Sequence, residues 1–139
     1  MTKVRPATEY IVVHGAYTPA HMDIGVKEID RWHRERGFLM VGYHKIIRRD
    51  GTVEHGRPEE VIGAGVSGFN ETSYHIMLVG GKADEGGWEV NYTGAQFDSL
   101  RHLIRQKLIQ YPNAVLQGHT DFPRHTKKCP AFDVAEWYK

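Results

Sequence analysis

The chain has 139 residues, a formal net charge of +1, and contents of hydrophobic (40%) and charged (25%) residues close to those of average globular domains. This length is enough for one core and too short for two full domains, so we expect residues 1–139 to form a single domain. The small net charge gives no indication of nucleic acid or of an anionic membrane as a partner. Because the chain has one cysteine, an internal disulfide is excluded.

Short runs rich in β-branched and aromatic residues predict the strands. They lie at residues 10–13, 43–48, 52–55, 74–79 and 114–117. The second and third runs flank Arg49-Asp50-Gly51, which is a strong hairpin signal. His14 follows the first run directly, and His119 comes shortly after the last. If these two strands are neighbours with aligned ends, the two imidazoles meet at one edge of a sheet.

Helices are predicted between the strands. Asp23 is the expected N-cap of a helix over 24–36, in which three apolar residues are spaced three apart. Thr93 and Gln96 form a capping box in front of a second helix with a continuous apolar stripe. A short third helix is expected to begin at Asp133. The sequence therefore predicts an α/β fold, with a mixed central β-sheet flanked by helices.

Residues 82–88 are predicted to form a surface loop.

The N-terminal segment and the apolar stretches of the chain bear on its cellular location. The N-terminal segment is basic but lacks the apolar core of a signal peptide, and no stretch approaches the ~20 apolar residues of a membrane-spanning helix. We therefore expect synthesis in the cytoplasm, without a signal peptide and without membrane insertion.

Two histidines and the single cysteine are candidate metal ligands. His14 and His119 end strands, and Cys129 lies in a polar, lysine-rich segment that is unlike a core strand. Two imidazoles and one thiolate make three protein ligands for zinc, and catalytic zinc sites combine three protein ligands with an open position. Each residue taken alone also has an ordinary interpretation, Cys129 as a small core residue and each histidine as a satisfied residue at a strand end.

Several short motifs occur along the chain: Trp32-His33-Arg34-Glu35-Arg36-Gly37, Gly42-Tyr43-His44, Asp50-Gly51-Thr52-Val53, Leu78-Val79-Gly80-Gly81, Gly118-His119 and Cys129-Pro130. As a set they resemble the zinc-dependent N-acetylmuramoyl-L-alanine amidases, the family that includes the peptidoglycan recognition domains. The resemblance extends from about Tyr10 to Trp137 and is strongest to the single-domain phage lysozymes of the T-seven type. It implies the amidase fold, with a mixed sheet flanked by helices.

The resemblance also implies the site. It assigns one zinc ion to His14, His119 and Cys129, and catalytic roles to Tyr43 and to Lys127, which lies two residues before the cysteine. The implied reaction is hydrolysis of the amide bond between N-acetylmuramic acid and L-alanine in peptidoglycan. No carboxylate stands out as a general base.

The chain departs from the family pattern near this site. Gly65 stands where a substrate-side histidine is often found, His75 replaces a small residue early in its strand, and the loop before the cysteine is longer. Composition does not distinguish Lys127 from Lys128, and only the motif register selects Lys127.

The remaining histidines have less specific interpretations. His44 either orients a neighbouring site residue or packs within its strand, and the role of His75 is left open. The others are expected at the surface or at an interface: His21, His33, His55, His102 and His125.

The function implied is that of a phage or prophage endolysin. We expect a monomer that acts on the periplasmic cell wall of a Gram-negative host once a partner has permeabilised the membrane. A cytosolic muropeptide-recycling amidase would share the chemistry, and a recognition domain that binds wall fragments without cutting them is an alternative of another class. A third alternative is binding and inhibition of a phage RNA polymerase, which the T-seven-type lysozymes carry out, although a shared fold does not by itself transfer such an interface.

Overall fold

The computed structural model of the protein describes residues 3–123 and 128–139. Within them the strands are β1 (Tyr10–Gly15), β2 (Thr18–Pro19), β3 (Lys45–Ile47), β4 (Val53–His55), β5 (Ser73–Leu78), β6 (Gly81–Lys82) and β7 (Val115–Gly118). The helices are α1 (Val26–Glu35), α2 (Gly94–Gln110) and α3 (Val134–Tyr138), and short 3-10 turns cover Asn70–Thr72 and His119–Asp121. None of the helices in the described residues is long and apolar enough to cross a membrane.

The central sheet has five strands in the order β4-β3-β5-β1-β7. The four strands β3, β5, β1 and β7 run parallel, whereas β4 pairs antiparallel with β3 at the edge. Strands β2 and β6 form a separate parallel pair. The predicted mixed central sheet flanked by helices is confirmed.

Alternate side chains of the central strands point to opposite faces of the sheet. One face packs against α2 and α3 around an apolar cluster, whose buried residues include Ile11, Val13, Ile47, Tyr74, Ile76 and Leu78 from the strands and Leu100, Leu103, Ile104 and Val134 from the helices. On the other face, α1 packs through Ile29 against Ile46 and Met77. Because of the alternation, His14 and His75 both belong to this second face, which we call the cavity face.

Two local predictions are confirmed. Gly51 closes the β3–β4 hairpin at φ +90°, a left-handed conformation that glycine adopts without strain, and its N–H donates to Arg48 O at 2.9 Å. In the capping box of α2, Gln96 N–H donates to Thr93 Oγ1 at 3.0 Å, and Thr93 N–H donates to Gln96 Oε1 at 2.9 Å.

Two local predictions were wrong. Asp23 does not cap α1, because Glu28 and Glu54 accept the N–H groups of Gly25 and Val26, each at 2.8 Å. Asp23 instead faces Arg48, with 3.6 Å between Asp23 Oδ1 and Arg48 Nη2. The predicted loop over 82–88 begins within a strand, since β6 includes its first residue.

Candidate metal centre

The histidine near the end of β1, His14, and the histidine that follows β7, His119, lie side by side. The two strands are parallel neighbours with Val13 opposite Gly118, so the next residue along each strand, His14 and His119, falls at the same carboxyl edge of the sheet. The centroids of their rings are 5.0 Å apart. Both side chains are buried, with 1% and 6% of their surface exposed.

Cys129 reaches the same point from the C-terminal segment. Its Sγ accepts a hydrogen bond from Gly15 N–H at 3.0 Å, and its carbonyl oxygen accepts one from Thr120 N–H at 3.0 Å. The hydroxyl of Tyr92 donates to Pro130 O at 2.8 Å and holds the next residue. Cys129 is therefore held at the end of β1 through its thiol and at the turn that carries His119 through its carbonyl oxygen.

Together these three residues form a group that can hold a metal ion. The candidate ligand atoms of His14, His119 and Cys129 all lie within 4.8 Å of one another. Tetrahedral zinc with Zn–N of about 2.0–2.1 Å and Zn–S of about 2.3 Å needs ligand atoms roughly 3.3–3.8 Å apart, so small movements complete the geometry. Two imidazoles and a buried thiol are a donor set that suits zinc. Asp121, the carboxylate two residues after His119, instead accepts a hydrogen bond from Gly118 N–H at 2.9 Å.

Two further histidines extend the row of rings across the sheet. Nε2 of His14 lies 2.9 Å from Nδ1 of His75, and the ring of His75 stacks on that of His44 with centroids 5.7 Å apart. Burial lowers the pKa of His75 well below its usual value and that of His44 to about 4. Both rings are therefore neutral at pH 7. His44 accepts the N–H of His75 on Nδ1 at 2.9 Å and contacts Val61 O with Nε2 at 2.6 Å.

The candidate ligands line a cavity of about 770 Å³, and Tyr43 stands beside them. The Tyr43 ring lies 4.9 Å from the ring of His14, centroid to centroid. Burial raises the pKa of Tyr43, so its hydroxyl stays protonated at neutral pH and can donate a hydrogen bond. The cavity wall also carries the aromatic and cationic side chains Tyr17, Trp32, His33, Arg36, Phe38 and Trp88.

His33 was predicted at the surface or at an interface, but it is buried inside the protein. Only 6% of His33 is exposed, and its Nδ1 accepts Gly42 N–H at 2.9 Å. Burial, followed by the charges of Arg36 and Arg57, lowers its pKa. The signal in the sequence was the four-residue spacing from Ile29, which puts His33 on the buried stripe of α1.

The predicted catalytic lysine, Lys127, and the predicted surface histidine His125 lie outside the described residues. Lys128 is described and exposed, as are His21, His55 and His102. Gly65 lies at the cavity, where a Cβ on this residue would come within 2.6 Å of His75 Nδ1.

Comparison with known proteins accounts for this arrangement. Residues 4–132 match the profile of the family described as N-acetylmuramoyl-L-alanine amidase. An endolysin of Klebsiella phage KP32 is 48% identical over 135 residues, which are 97% of this chain and 88% of the relative. An endolysin of Escherichia phage T7 is 44% identical over 137 residues, which are 99% of this chain and 89% of the relative.

The structure agrees with the sequence comparison. The N-acetylmuramoyl-L-alanine amidase LysC from Clostridium intestinale URNW superposes with a TM-score of 0.81 at 28% identity, covering 99% of this chain and 85% of that chain. Family and fold thus point in the same direction as the motifs of the sequence. The chain belongs to the N-acetylmuramoyl-L-alanine amidase family.

Proposed function

We propose that residues 1–139 act as a single amidase domain, an endolysin that hydrolyses the amide bond between N-acetylmuramic acid and L-alanine with one zinc ion held by His14, His119 and Cys129. The observation that carries this proposal is the buried group of two imidazoles and one thiol at the wall of the cavity. Family membership supports the reaction, and the donor set of two imidazoles and one thiol supports zinc as the metal.

The position of the three ligands suits a catalytic metal better than a structural one. Structural zinc sites usually close with four protein ligands, whereas catalytic sites present three and keep a position for water or substrate. The group described here has three members and opens on the cavity. When bound, zinc supplies a Lewis acid that polarises a carbonyl group and lowers the pKa of water to about 7.

In this proposal Tyr43 assists the reaction as a hydrogen-bond donor. Its ring lies between the rings of His14 and His33, at 4.9 and 5.3 Å. Since burial keeps its hydroxyl protonated, this group can stabilise the oxyanion that forms on the scissile carbonyl, or pass a proton to the leaving amine.

Lys127 is the second catalytic residue of the proposal. The motif register, two residues before Cys129, supports this role. A fixed ammonium group beside the developing oxyanion would stabilise the transition state more than the ground state.

The cavity is suited to a wall fragment. Its volume of about 770 Å³ is in the range of small-molecule sites, and its aromatic and cationic walls offer stacking surfaces for sugar rings and donors for carboxylates. The cavity is open to solvent, as the binding of a long polymer requires. We propose that intact peptidoglycan is the substrate, in keeping with the endolysin relatives.

Mass spectrometry of purified sacculi after digestion tests the reaction. We expect new free amino termini on L-alanine and no new reducing sugar ends, because the amide and not the glycosidic bond is cut. New reducing ends without free L-alanine would contradict the proposal. Digestion of intact sacculi should exceed that of soluble muropeptides, whereas the reverse preference would indicate a recycling amidase.

A further inference from the structure

We propose that His75 is a positioning residue, which holds His14 in the tautomer with its proton on Nε2 and so presents Nδ1 of His14 to the metal. This inference rests on the zinc site proposed above and names the atom through which His14 binds. It is carried by a chain of hydrogen bonds that only one distribution of protons satisfies when both rings are neutral.

The chain of hydrogen bonds runs from His14 through His75 to Asn70. Nε2 of His14 lies 2.9 Å from Nδ1 of His75, and Nε2 of His75 lies 3.0 Å from Asn70 Oδ1. Because Oδ1 is a carbonyl oxygen, it accepts and cannot donate, so the proton of His75 must be on Nε2. Nδ1 of a neutral His75 then carries a lone pair, and the donor in the remaining hydrogen bond is His14 Nε2–H.

The neutral state of His75 follows from its surroundings. The ring is 0% exposed and lies against the rings of His14 and His44. Its backbone N–H donates to His44 Nδ1, which is therefore the unprotonated nitrogen of that ring. A charged imidazolium between two other buried imidazoles would be costly.

The orientation of the Asn70 amide is fixed by the backbone. The N–H groups of Gly65 and Val66 both donate to Asn70 Oδ1, each at 2.9 Å. Rotating the amide by half a turn would point its NH₂ group at these two donors. The acceptor at the far end of the chain of hydrogen bonds is therefore set by the fold.

The consequence for His14 is a defined metal-binding atom. With the proton on Nε2, the lone pair of a neutral His14 is on Nδ1, the nitrogen on the other side of the ring. Metal-binding histidines generally donate their second ring N–H to an oxygen acceptor, which fixes the tautomer and raises ligand basicity. In this chain the acceptor is another imidazole.

Gly65 leaves the space that this arrangement needs. A Cβ at Gly65 would lie 2.6 Å from His75 Nδ1 and 2.9 Å from His14 Nε2, against both partners of the hydrogen bond. A side chain at position 65 and the ring of His75 therefore compete for the same volume. The two departures from the family pattern, at positions 65 and 75, form one structural unit.

Two substitutions of His75 test the role. His75→Val introduces a β-branched residue, which suits a strand, and removes the acceptor, whereas His75→Asn retains a carbonyl oxygen near the position of Nδ1. Zinc affinity is measured by competition with a chromophoric chelator, and the His14 tautomer by ¹⁵N–¹H correlation spectra of metal-free protein. We expect zinc binding about 10- to 100-fold weaker in His75→Val, the usual cost of removing a residue that orients a ligand, and most of the affinity restored in His75→Asn.

The spectra should show His14 protonated on Nε2 in the wild-type protein and a mixture of tautomers in His75→Val. Zinc affinity of His75→Val equal to that of the wild type, or a wild-type His14 protonated on Nδ1, would overturn the assignment to His75 and leave the zinc amidase standing. A wild-type protein that binds no zinc would overturn both. If His75→Val fails to fold, the wild-type tautomer and the affinity of His75→Asn still decide.

Discussion

The face of the central sheet under α2 and the cavity face are made from alternate residues of the same strands. In β1, Ile11 and Val13 enter the apolar core under α2, whereas Val12 and His14 lie on the other face. In β5 the corresponding alternation separates Ile76 from His75. The period of two therefore lets one strand supply both the core and the site, and the chemistry of the cavity can change without altering the core.

The two faces also differ in what burial requires. Apolar side chains need only shape complementarity, and their burial contributes about 25 cal/mol per Å². A buried imidazole needs hydrogen-bond partners for its ring nitrogens, because leaving one unsatisfied costs about 1–3 kcal/mol. His44 meets this need through His75 N–H and Val61 O, and His75 through its two side-chain neighbours. Substitutions on the apolar face should therefore change stability alone, whereas those on the cavity face should also change metal binding and rate.

The largest effect is expected for Cys129, the third ligand of the proposed site. Cys129→Ala removes the thiolate, so zinc content should fall and activity should drop by at least about 1,000-fold, since several kcal/mol of electrostatic stabilisation are lost. Cys129→Asp should keep part of both, because a carboxylate can occupy the same tetrahedral position. Zinc content by mass spectrometry and hydrolysis rates check this, and tight zinc binding by Cys129→Ala would make Cys129 a packing residue.

The adjacent lysines give the next largest contrast. Lys127→Ala should reduce kcat by about 100- to 1,000-fold with zinc retained, the usual cost of one oxyanion donor. Lys128, which is exposed, serves as the matched control, and Lys128→Ala should stay within a few-fold of the wild type. Rates at saturating substrate decide between them. The reverse ranking would mean that the longer loop presents Lys128 to the site.

On the apolar face, Leu100 separates stability from catalysis. Leu100 is 0% exposed within the core under α2, so Leu100→Ala should lower the free energy of unfolding by about 2–5 kcal/mol. Zinc content and kcat should be unchanged at temperatures where the variant is folded. Ile109 on the same helix is 74% exposed, and Ile109→Ala should change the free energy by less than about 0.5 kcal/mol. A selective loss of zinc in Leu100→Ala would show that the two faces are coupled.

The buried His44 makes the cavity face sensitive to acid. Its pKa is lowered from 6.5 to about 4, chiefly by burial and further by Arg5, against the opposing effects of Val61 O and Glu59. Between these values the unfolded chain binds a proton that the native ring does not, so stability is complete above pH 6.5 and falls as pH decreases toward 4, by about 3 kcal/mol for this ring.

Urea unfolding at pH 7 and pH 4.5 with chelator present, so that metal release does not contribute, measures this loss. His44→Gln should show a shallower dependence on pH than the wild type, by close to one proton, although it is less stable at neutral pH. His33 and His75, whose pKa values are also lowered, keep a residual dependence in the variant. Equal slopes for the two proteins would mean that His44 is not the titrating group.

The smallest effect is expected at Tyr43. Tyr43→Phe removes one hydroxyl at the cavity, so kcat should fall by about 100-fold while zinc content and the thermal unfolding midpoint stay near wild type. An unchanged kcat would mean that the Tyr43 hydroxyl takes no part in the reaction and that the ring only packs. A collapse in stability would instead show that the hydroxyl is structural.

Much of the fold could be predicted because the local signals agree with the tertiary structure. The hairpin at Gly51 and the capping box at Thr93 depend on residues close in sequence, so their geometry is readable from the sequence. The prediction that Asp23 caps α1 was wrong because Glu54, which is distant in sequence, accepts the N–H group of Val26. The burial of His33 depends on its four-residue spacing from Ile29, which the three-residue spacing of the apolar residues in this helix does not include.

The site could be predicted from the sequence only in part, because it too depends on contacts between residues that are distant in the chain. Histidines that end strands are visible in sequence, but their meeting depends on the order β5-β1-β7, which no local pattern determines. The family resemblance implies that the two histidines meet, because it assigns both of them to one zinc ion. The link between Gly65 and His75 joins a loop to a strand through side-chain volume, and such a relation appears only once the chain is folded.

The most direct test of the account is the metal content of the wild-type protein followed through removal and return of zinc. We expect one zinc per chain, loss of sacculus hydrolysis when a chelator removes it, and recovery in proportion to the zinc restored, because His14, His119 and Cys129 provide one open site. Full activity in protein verified to be free of metal would contradict the central claim.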